Sequence, residues 1–175
     1  MEKTELAKRV VEAALRRGEF RLRSGKVSDL YFDKYQFEAQ PELLRAIAKA
    51  LAPLIPRDTE VLAGLELGGV PVATALSLET GLPVAFVRKA RKDYGTCLIA
   101  EGAALRGKRV TIVEDVITTG GAVLDSAREL LNEGALLGTV LSVIYRGDPG
   151  QDPFAPEKLK SVFLFSMAEL EPFMS

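Results

Sequence analysis

The chain has 175 residues, 47% of them hydrophobic, and a formal net charge of −1, which suits a single domain over 1–175 and does not favour binding to nucleic acid or membrane surfaces. It has no histidine and one cysteine, Cys97, which excludes histidine-based acid–base catalysis, histidine-ligated metals and an internal disulfide. No apolar stretch approaches the ~18 residues of a membrane span, and residues 1–17 do not resemble a signal peptide, so we expect a cytoplasmic protein.

The first part of the chain is predicted to contain two helices separated by an extended segment. Apolar residues recur at helical spacing over residues 4–17, and Gly18 is placed to end that helix. Residues 20–33 are predicted to be extended, with a turn at Ser24-Gly25. Pro41 suits the first turn of a second helix, which Pro53 and Pro56 would end.

From residue 60 onward, predicted strands alternate with predicted helices. The strands cover residues 61–64, 84–88, 109–115, 139–145 and 162–165, and the helices cover 70–80, 121–133 and a short segment from Ser166. This alternation predicts an α/β fold with a central, mostly parallel sheet flanked by helices. Two connections stand out: residues 89–107, whose length is typical of a functional lid or of disorder, and a polar loop over 147–156.

Residues 110–123 combine a strand end, two acids, two hydroxyls and two glycines. The β-branched residues suit a buried parallel strand, and Glu114 and Asp115 follow at its carboxyl end, where ligands bind in open α/β sheets. The turn over 118–121 would present unpaired backbone N–H groups to an anion at a helix N-terminus. Acceptors for sugar hydroxyls beside donors for a phosphate predict a phosphorylated-sugar site. The alternative is a purely structural corner, although adjacent acids repel each other and need a purpose.

Two other turns of the predicted sheet carry chemistry suited to the same ligand. Four of the five residues over 88–92 are cations and follow a strand, so they would lie at the same sheet edge. A basic loop there could neutralise a pyrophosphate leaving group and exclude water, or it could be an ordinary solvated loop. Gly68 and Gly69 permit the close backbone approach that a pyrophosphate loop needs, but glycines are common in such turns.

Residues 110–123 resemble the phosphoribosyl pyrophosphate (PRPP) motif of the type I phosphoribosyltransferases, and they lack the Walker A lysine and the Rossmann glycine pattern. The segment from Phe20 resembles the N-terminal signature of the orotate phosphoribosyltransferases, Phe-x-Leu-Lys/Arg-Ser-Gly-x-x-Ser followed by aromatic residues; its alternative is a hairpin with core aromatics. The family's basic-loop pattern is met by Arg88, Lys89, Lys92, Asp93, Tyr94 and Gly95. The chain departs from many members at Tyr94, where they have histidine, and at Glu114, where they have aspartate.

This resemblance covers about residues 5–146 and implies a type I phosphoribosyltransferase fold, with an N-terminal hood over about 1–40 and a core over 41–175. It implies transfer of ribose 5-phosphate from PRPP to orotate, giving orotidine 5′-monophosphate and pyrophosphate in pyrimidine synthesis. Mg²⁺ would be required, held by substrate oxygens and water with no direct protein ligand. Substitution at the sugar carbon needs no protein nucleophile, only positioning, charge neutralisation and exclusion of water. The family also implies a homodimer whose basic loop reaches into the partner's site.

The resemblance also assigns roles to individual residues. Lys92 and Asp115 would be the catalytic residues. PRPP would be bound by Arg88, Lys89, Lys92, Tyr94, Glu114, Asp115, Val116, Ile117, Thr118, Thr119, Gly120, Gly121 and Ala122. Orotate would be bound by Thr118, Arg146, Arg23, Tyr31 and Phe32, with Lys26 a weaker choice than Arg23. The guanidinium of Arg146 suits bidentate bonding to a planar carboxylate, although an arginine in this place could also be a surface residue that closes a strand.

Two alternatives remain from the sequence. Another phosphoribosyltransferase, for adenine, xanthine or uracil, would keep the PRPP motif but should lack the signature over residues 20–33 and Arg146. A PRPP-sensing regulator that binds RNA or DNA would need a basic face, and the net charge of −1 argues against one.

Overall fold

A computed structural model of the chain describes residues 1–21, 25, 27–90, 98–148 and 150–174. Arg23, Lys26, Lys92, Tyr94 and Cys97 lie outside these residues. The helices are α1 Lys3–Ala14, α2 Tyr35–Glu38, α3 Pro41–Leu51, α4 Gly69–Thr80, α5 Gly121–Asn132 and α6 Met167–Leu170. The strands are β1 Leu15–Arg21, β2 Val27–Phe32, β3 Val61–Leu65, β4 Val84–Val87, β5 Ala100–Gly102, β6 Arg109–Ile117, β7 Leu136–Tyr145 and β8 Lys160–Ser166.

Six of the strands form one central sheet in the order β5-β4-β3-β6-β7-β8. All neighbours run parallel except β5, which is antiparallel to β4. Strands β1 and β2 form a separate antiparallel hairpin. The predicted α/β fold with a mostly parallel sheet is therefore confirmed, and the turns that follow β3, β4, β6 and β7 share one edge of it.

Helices cover both faces of the sheet because each presents an apolar stripe to it. On one face α1, α3 and α4 bury residues such as Leu6, Leu43 and Leu76 in a single cluster. On the other face α5 buries Val123 and Leu130 in a second cluster. The longest helices have 12 residues, and no helix in the described parts of the chain is long and apolar enough to cross a bilayer.

The largest departure from the predicted elements is in the N-terminal part. The helix predicted over 4–17 ends at Ala14, because the chain becomes extended at Leu15 and pairs with Phe32 across the hairpin. Gly18 lies within β1 and does not end a helix. Strand pairing here outweighs a helical apolar spacing, which is only a weak local preference. The division into a hood over 1–40 and a core over 41–175 stays a prediction, and α1 packs in the same cluster as α3.

Smaller differences lie at element ends and in the connections. Strand β6 runs two residues beyond the predicted end, to Ile117, and β7 begins three residues early, at Leu136. The predicted connection over 89–107 contains the short strand β5. Helix α2 has four residues and was not predicted, since one turn is too short to show a period.

Helix α4 offers a matched test of the packing on the sheet. Leu76 is fully buried, whereas Leu78 on the same helix is 85% exposed. We expect Leu76→Ala to lower the free energy of unfolding by about 2–5 kcal/mol, because it leaves a cavity against the sheet. Leu78→Ala should change it by less than about 0.5 kcal/mol. Chemical denaturation of the two variants checks this, and equal losses would contradict the placement of α4.

Candidate functional site

A cleft of about 600 Å³ opens at the carboxyl edge of the sheet, a volume suited to a small-molecule ligand. Its walls come from the ends of three neighbouring strands and from α5. Glu66 follows β3, Arg88 and Lys89 follow β4, Glu114 lies on β6, and Ala122 begins the α5 wall. The cleft therefore brings together residues that lie in or beside the three turns predicted from the sequence to bind a ligand.

The turn after β6 presents the N-terminus of α5. Gly120 has a φ of 79°, in the left-handed region, which lets the chain turn sharply into the helix at Gly121. Thr118 and Thr119 are exposed, and no side chain caps the helix. The first N–H groups of this 12-residue helix are thus available to an anion.

The loop before β8, which contains Asp152 and Phe154, packs against this turn. Phe154 is fully buried, and a Cβ added to Gly120 would lie 2.8 Å from its ring. The Asp152 carboxylate holds the loop by accepting hydrogen bonds from the backbone N–H groups of Phe154 (2.9 Å) and Ser161 (3.1 Å). This packing was not predicted from the sequence. The loop is mostly polar, and a single large apolar side chain does not indicate a buried contact.

The turn between β3 and α4 packs directly against β6. A Cβ on Gly68 would overlap the Asp115 carboxylate, and a Cβ on Gly69 would overlap the Val113 carbonyl. The Glu66 carboxylate accepts a hydrogen bond from the N–H of Lys89 at 3.1 Å, which ties this turn to the one after β4. The two glycines therefore have a structural reason to be there in addition to the predicted pyrophosphate loop.

The described part of the basic segment lies at the cleft. Arg88 is half-buried and its backbone N–H donates to the carbonyl of Ile99 at 2.8 Å, whereas Lys89 is exposed. The Nε atom of Arg88 is buried and has no hydrogen-bond partner within the described ranges. A half-buried guanidinium whose buried Nε is an unused donor is suited to an anionic ligand.

The two motif acids have different surroundings. Glu114 is half-buried, lines the cleft, and accepts a hydrogen bond from the N–H of Asp115 at 3.0 Å. The side chain of Asp115 has no exposed surface. Its Oδ1 accepts from the N–H of Val116 at 2.5 Å and from Lys34 Nζ at 2.9 Å, and the same ammonium lies 2.7 Å from Oδ2.

A third carboxyl group, that of Glu38 on α2, is buried beside this ion pair. Burial, followed by the hydrogen bond to Asp115 and its charge, raises the pKa of both Glu38 and Glu114 to about 9. Burial opposes the charge on Asp115 as well, but hydrogen bonds from Glu114, Glu38 and Lys34 outweigh it and lower the pKa of Asp115. These opposite shifts favour a negative charge on Asp115, paired with Lys34, over charges on Glu38 and Glu114.

Lys34 and Glu38 were not predicted from the sequence as residues of the site. They are four residues apart on and just before a one-turn helix, a spacing that places both on one side. Neither belongs to a motif, and a Lys-x-x-x-Glu pair is common on ordinary surfaces. Only the position of α2 over the end of β6 shows that both face Asp115.

The residues predicted for orotate divide into two groups. The backbone N–H of Arg146 donates to the Ile117 carbonyl at 2.8 Å, so Arg146 follows directly beside Thr118 at the sheet edge. Tyr31 lies on the hairpin, 45% exposed, with its ring 5.4 Å from that of Phe20. Phe32 packs against the first core cluster. Of the two predicted aromatic residues, Tyr31 has the more accessible ring.

Known sequences resemble this chain over the region that contains the candidate site. The family model of the phosphoribosyl transferase domain matches residues 34–166. The chain is 49% identical to a curated orotate phosphoribosyltransferase of Nocardioides sp. over 154 residues, which covers 88% of this chain and 86% of the relative. It is 41% identical to the orotate phosphoribosyltransferase of Halobacterium salinarum over 157 residues, covering 90% and 89% of the two chains.

Solved structures have the same fold along nearly the whole chain. The orotate phosphoribosyltransferase of Mycobacterium tuberculosis in complex with Fe(III) dicitrate superposes with a TM-score of 0.85 at 29% identity, covering 96% of this chain and 98% of the other. The enzyme from the same organism in complex with PRPP gives a TM-score of 0.83 at 27% identity, with 97% and 98% covered.

The contact between Gly68 and the Asp115 carboxylate can be tested by adding one methyl group. We expect Gly68→Ala to lower the free energy of unfolding by about 1–3 kcal/mol, because the new Cβ displaces a buried, paired carboxylate. Gly138→Ala is the matched control, since a Cβ there meets no atom within 4 Å. It should change stability by less than about 1 kcal/mol. Thermal and chemical unfolding measure both, and a harmless Gly68→Ala would argue against the close approach.

Proposed function

The chain belongs to the orotate phosphoribosyltransferases, and from this premise we propose that the cleft at the carboxyl edge of the sheet binds PRPP and orotate. The chain transfers ribose 5-phosphate from PRPP to orotate, giving orotidine 5′-monophosphate and pyrophosphate. This activity replaces the two alternatives, a transferase for another base and a nucleic-acid-binding regulator. One observation carries the location of the site: Glu114, Ala122 in the first turn of α5, and the two cations Arg88 and Lys89 line a single cleft.

PRPP carries a phosphate, a ribose and a pyrophosphate, and each has a counterpart in the cleft. The 5′-phosphate binds at the turn over residues 116–122, where the N–H groups at the start of α5 donate to it. Arg88 and Lys89 bind the pyrophosphate as cations, together with Lys92 and Tyr94. This order follows the order of the strand ends, with the phosphate turn after β6 and the basic segment after β4 on either side of β3.

The ribose hydroxyls donate hydrogen bonds to Glu114 and Asp115 in this proposal. Glu114 already lines the cleft, which supports its part directly. Asp115 lies one residue further on, covered by Lys34 and the backbone of Gly68. A direct contact between Asp115 and the ribose therefore requires these covering groups to shift when PRPP binds.

The reaction is a substitution at the sugar carbon. The bond from ribose C1 to the pyrophosphate oxygen breaks and positive charge develops on the sugar. The bond from C1 to a ring nitrogen of orotate forms, and the proton of that nitrogen passes to the departing pyrophosphate or to solvent. Asp115 supports that charge, and Lys92 neutralises the charge that develops on pyrophosphate. The remaining contribution is to orient both substrates and exclude water.

Mg²⁺ completes the substrate in this proposal. Magnesium prefers oxygen ligands and keeps several waters, which pyrophosphate and ribose oxygens allow. The Glu66 carboxylate at the cleft would suit hydrogen bonds from such waters. Bound there, the ion lowers the negative charge of the leaving group.

Orotate binds beside the ribose, where the chain after β7 meets the phosphate turn. Arg146 binds the orotate carboxylate, and Thr118 contacts the base from the neighbouring turn. Arg23, Tyr31 and Phe32 complete the base site from the hairpin. The backbone hydrogen bond from Arg146 to Ile117 supports this placement, because it brings the arginine next to Thr118.

The proposal also includes the oligomeric state and the cellular location of the enzyme. The enzyme is a homodimer in which the basic segment of each subunit reaches the partner's cleft. The location is the cytoplasm, which suits a chain with a single cysteine and no need of an oxidising compartment.

The activity is tested with purified protein, orotate, PRPP and Mg²⁺. We expect the ultraviolet absorbance of orotate to fall as orotidine 5′-monophosphate forms, and no change when PRPP is omitted. Adenine and uracil, supplied in place of orotate, serve as control acceptors and should not be consumed at a comparable rate. Turnover of a purine without turnover of orotate would contradict the assignment.

Shared sites are tested by mixing two inactive variants. Lys92→Ala and Asp115→Asn should each lose most activity as homodimers. If each site takes its basic segment from the partner, a mixed dimer keeps one intact site, and random exchange restores up to about a quarter of wild-type activity. Mass spectrometry confirms that subunits have exchanged. Exchange without recovery of activity would show that the sites are not shared.

A further inference from the structure

Among the described residues, the most buried ion pair is that between Lys34 and Asp115. No step of the proposed reaction uses the Lys34 ammonium. Its ammonium lies within 2.9 Å of both oxygens of Asp115, which is completely buried, while the Lys34 side chain itself remains 33% exposed. The pair joins two distant parts of the chain, since Lys34 follows the hairpin and Asp115 ends β6.

The backbone around Lys34 is held firmly. The N–H of Asp33 donates to the Ala14 carbonyl at 2.8 Å, and the Gln36 side chain donates to the Asp33 carboxylate at 2.9 Å. One residue further on, Phe37 is fully buried in the first core cluster. Lys34 therefore reaches Asp115 from a fixed base, which distinguishes this pair from mobile surface ion pairs.

Lys34 pairs with Asp115, and its positive charge also acts on the neighbouring carboxyls of Glu38 and Glu114. Its ammonium is also 5.3 Å from the ring of Tyr35. A buried carboxylate that loses its counter-ion carries a large desolvation cost, which it relieves by taking up a proton or by moving. Either change would alter the motif, because the N–H of Asp115 is the donor that orients Glu114 Oε1.

We propose that Lys34 is a positioning residue of the PRPP site, which holds the Asp115 carboxylate beneath the turn between β3 and α4 and thereby directs Glu114 into the cleft. The inference rests on the proposed ribose contact of Glu114, which lines the cleft while Lys34 still covers Asp115. Lys34 acts through Asp115 and makes no contact with PRPP itself. Orotate, which binds after β7, does not depend on it.

The test measures the affinity of the full-length protein for PRPP with Mg²⁺, by calorimetry, in the absence of orotate. Lys34→Met should weaken binding at least about tenfold, the equivalent of one hydrogen bond to a charged group. Lys108→Met is the matched control, because Lys108 pairs with Glu60 at 3.0 Å at the opposite end of β6 and is 48% exposed. It should leave the affinity within about twofold, as expected for an exposed pair. Orotate affinity should be equal in all three proteins.

A double-mutant cycle separates positioning from direct contact and remains informative if Lys34→Met alone does not fold. Asp115→Asn removes the buried charge that Lys34 balances, so the combined variant has no unpaired charge. If Lys34 acts only through Asp115, the combined variant should bind PRPP as weakly as Asp115→Asn alone. A further loss in the combined variant would show that Lys34 contacts PRPP and would overturn the proposal, as would a Lys34→Met protein that binds like the Lys108→Met control.

The Glu114→Ala variant distinguishes a failure of the inference about Lys34 from a failure of the proposed PRPP site on which that inference rests. If Glu114→Ala binds PRPP normally, the proposed ribose contact is wrong. The proposed role of Lys34, which depends on that contact, is then wrong as well. If Glu114→Ala weakens binding and Lys34→Met does not, the site assignment stands and the inference about Lys34 alone is overturned.

Discussion

Asp115 places a carboxylate where water does not reach it, at the end of the strand that carries the PRPP motif. Removing a carboxylate from water costs several kcal/mol unless an opposite charge and hydrogen bonds replace the lost hydration. Lys34 supplies the charge, and the N–H of Val116 supplies a hydrogen bond. The absence of a Cβ at Gly68 supplies the room. One buried charge thus ties together the hairpin connection, the turn after β3 and the motif strand.

The same arrangement explains how adjacent acids coexist in the motif. Two ionised carboxylates at neighbouring positions would repel each other, and a third, from Glu38, lies close by. Protons on Glu38 and Glu114 and a single ammonium reduce the group to one balanced pair. Glu114 is left neutral at the cleft wall in the free protein, so its charge is open to change when an anionic, metal-bound ligand arrives.

The parallel sheet decides where the remaining chemistry lies. Because β3, β4, β6 and β7 run the same way, the turns that follow them meet at one edge, although they are up to 80 residues apart in the chain. Residues that lie in or beside these turns, namely Glu66, Arg88, Lys89, Glu114 and Ala122, therefore line one cleft. The loop that contains Phe154 packs against Gly120, so the turn before α5 rests on a hydrophobic support.

The sequence by itself determined the α/β fold, the order of its strands and helices from residue 60 onward apart from the short strand β5, and the family, because apolar periodicity and the spacing of the motif are local properties of the chain. It also assigned Glu114, Arg88 and Lys89 to one site, since strand ends in a parallel sheet must meet. Only the tertiary structure decided that α1 ends at Ala14, that Asp115 is buried while Glu114 faces the cleft, and that Lys34, Glu38 and Phe154 support the motif. These outcomes depend on contacts between segments far apart in the chain, and a charge or an aromatic ring carries no local sign of the partner that will cover it.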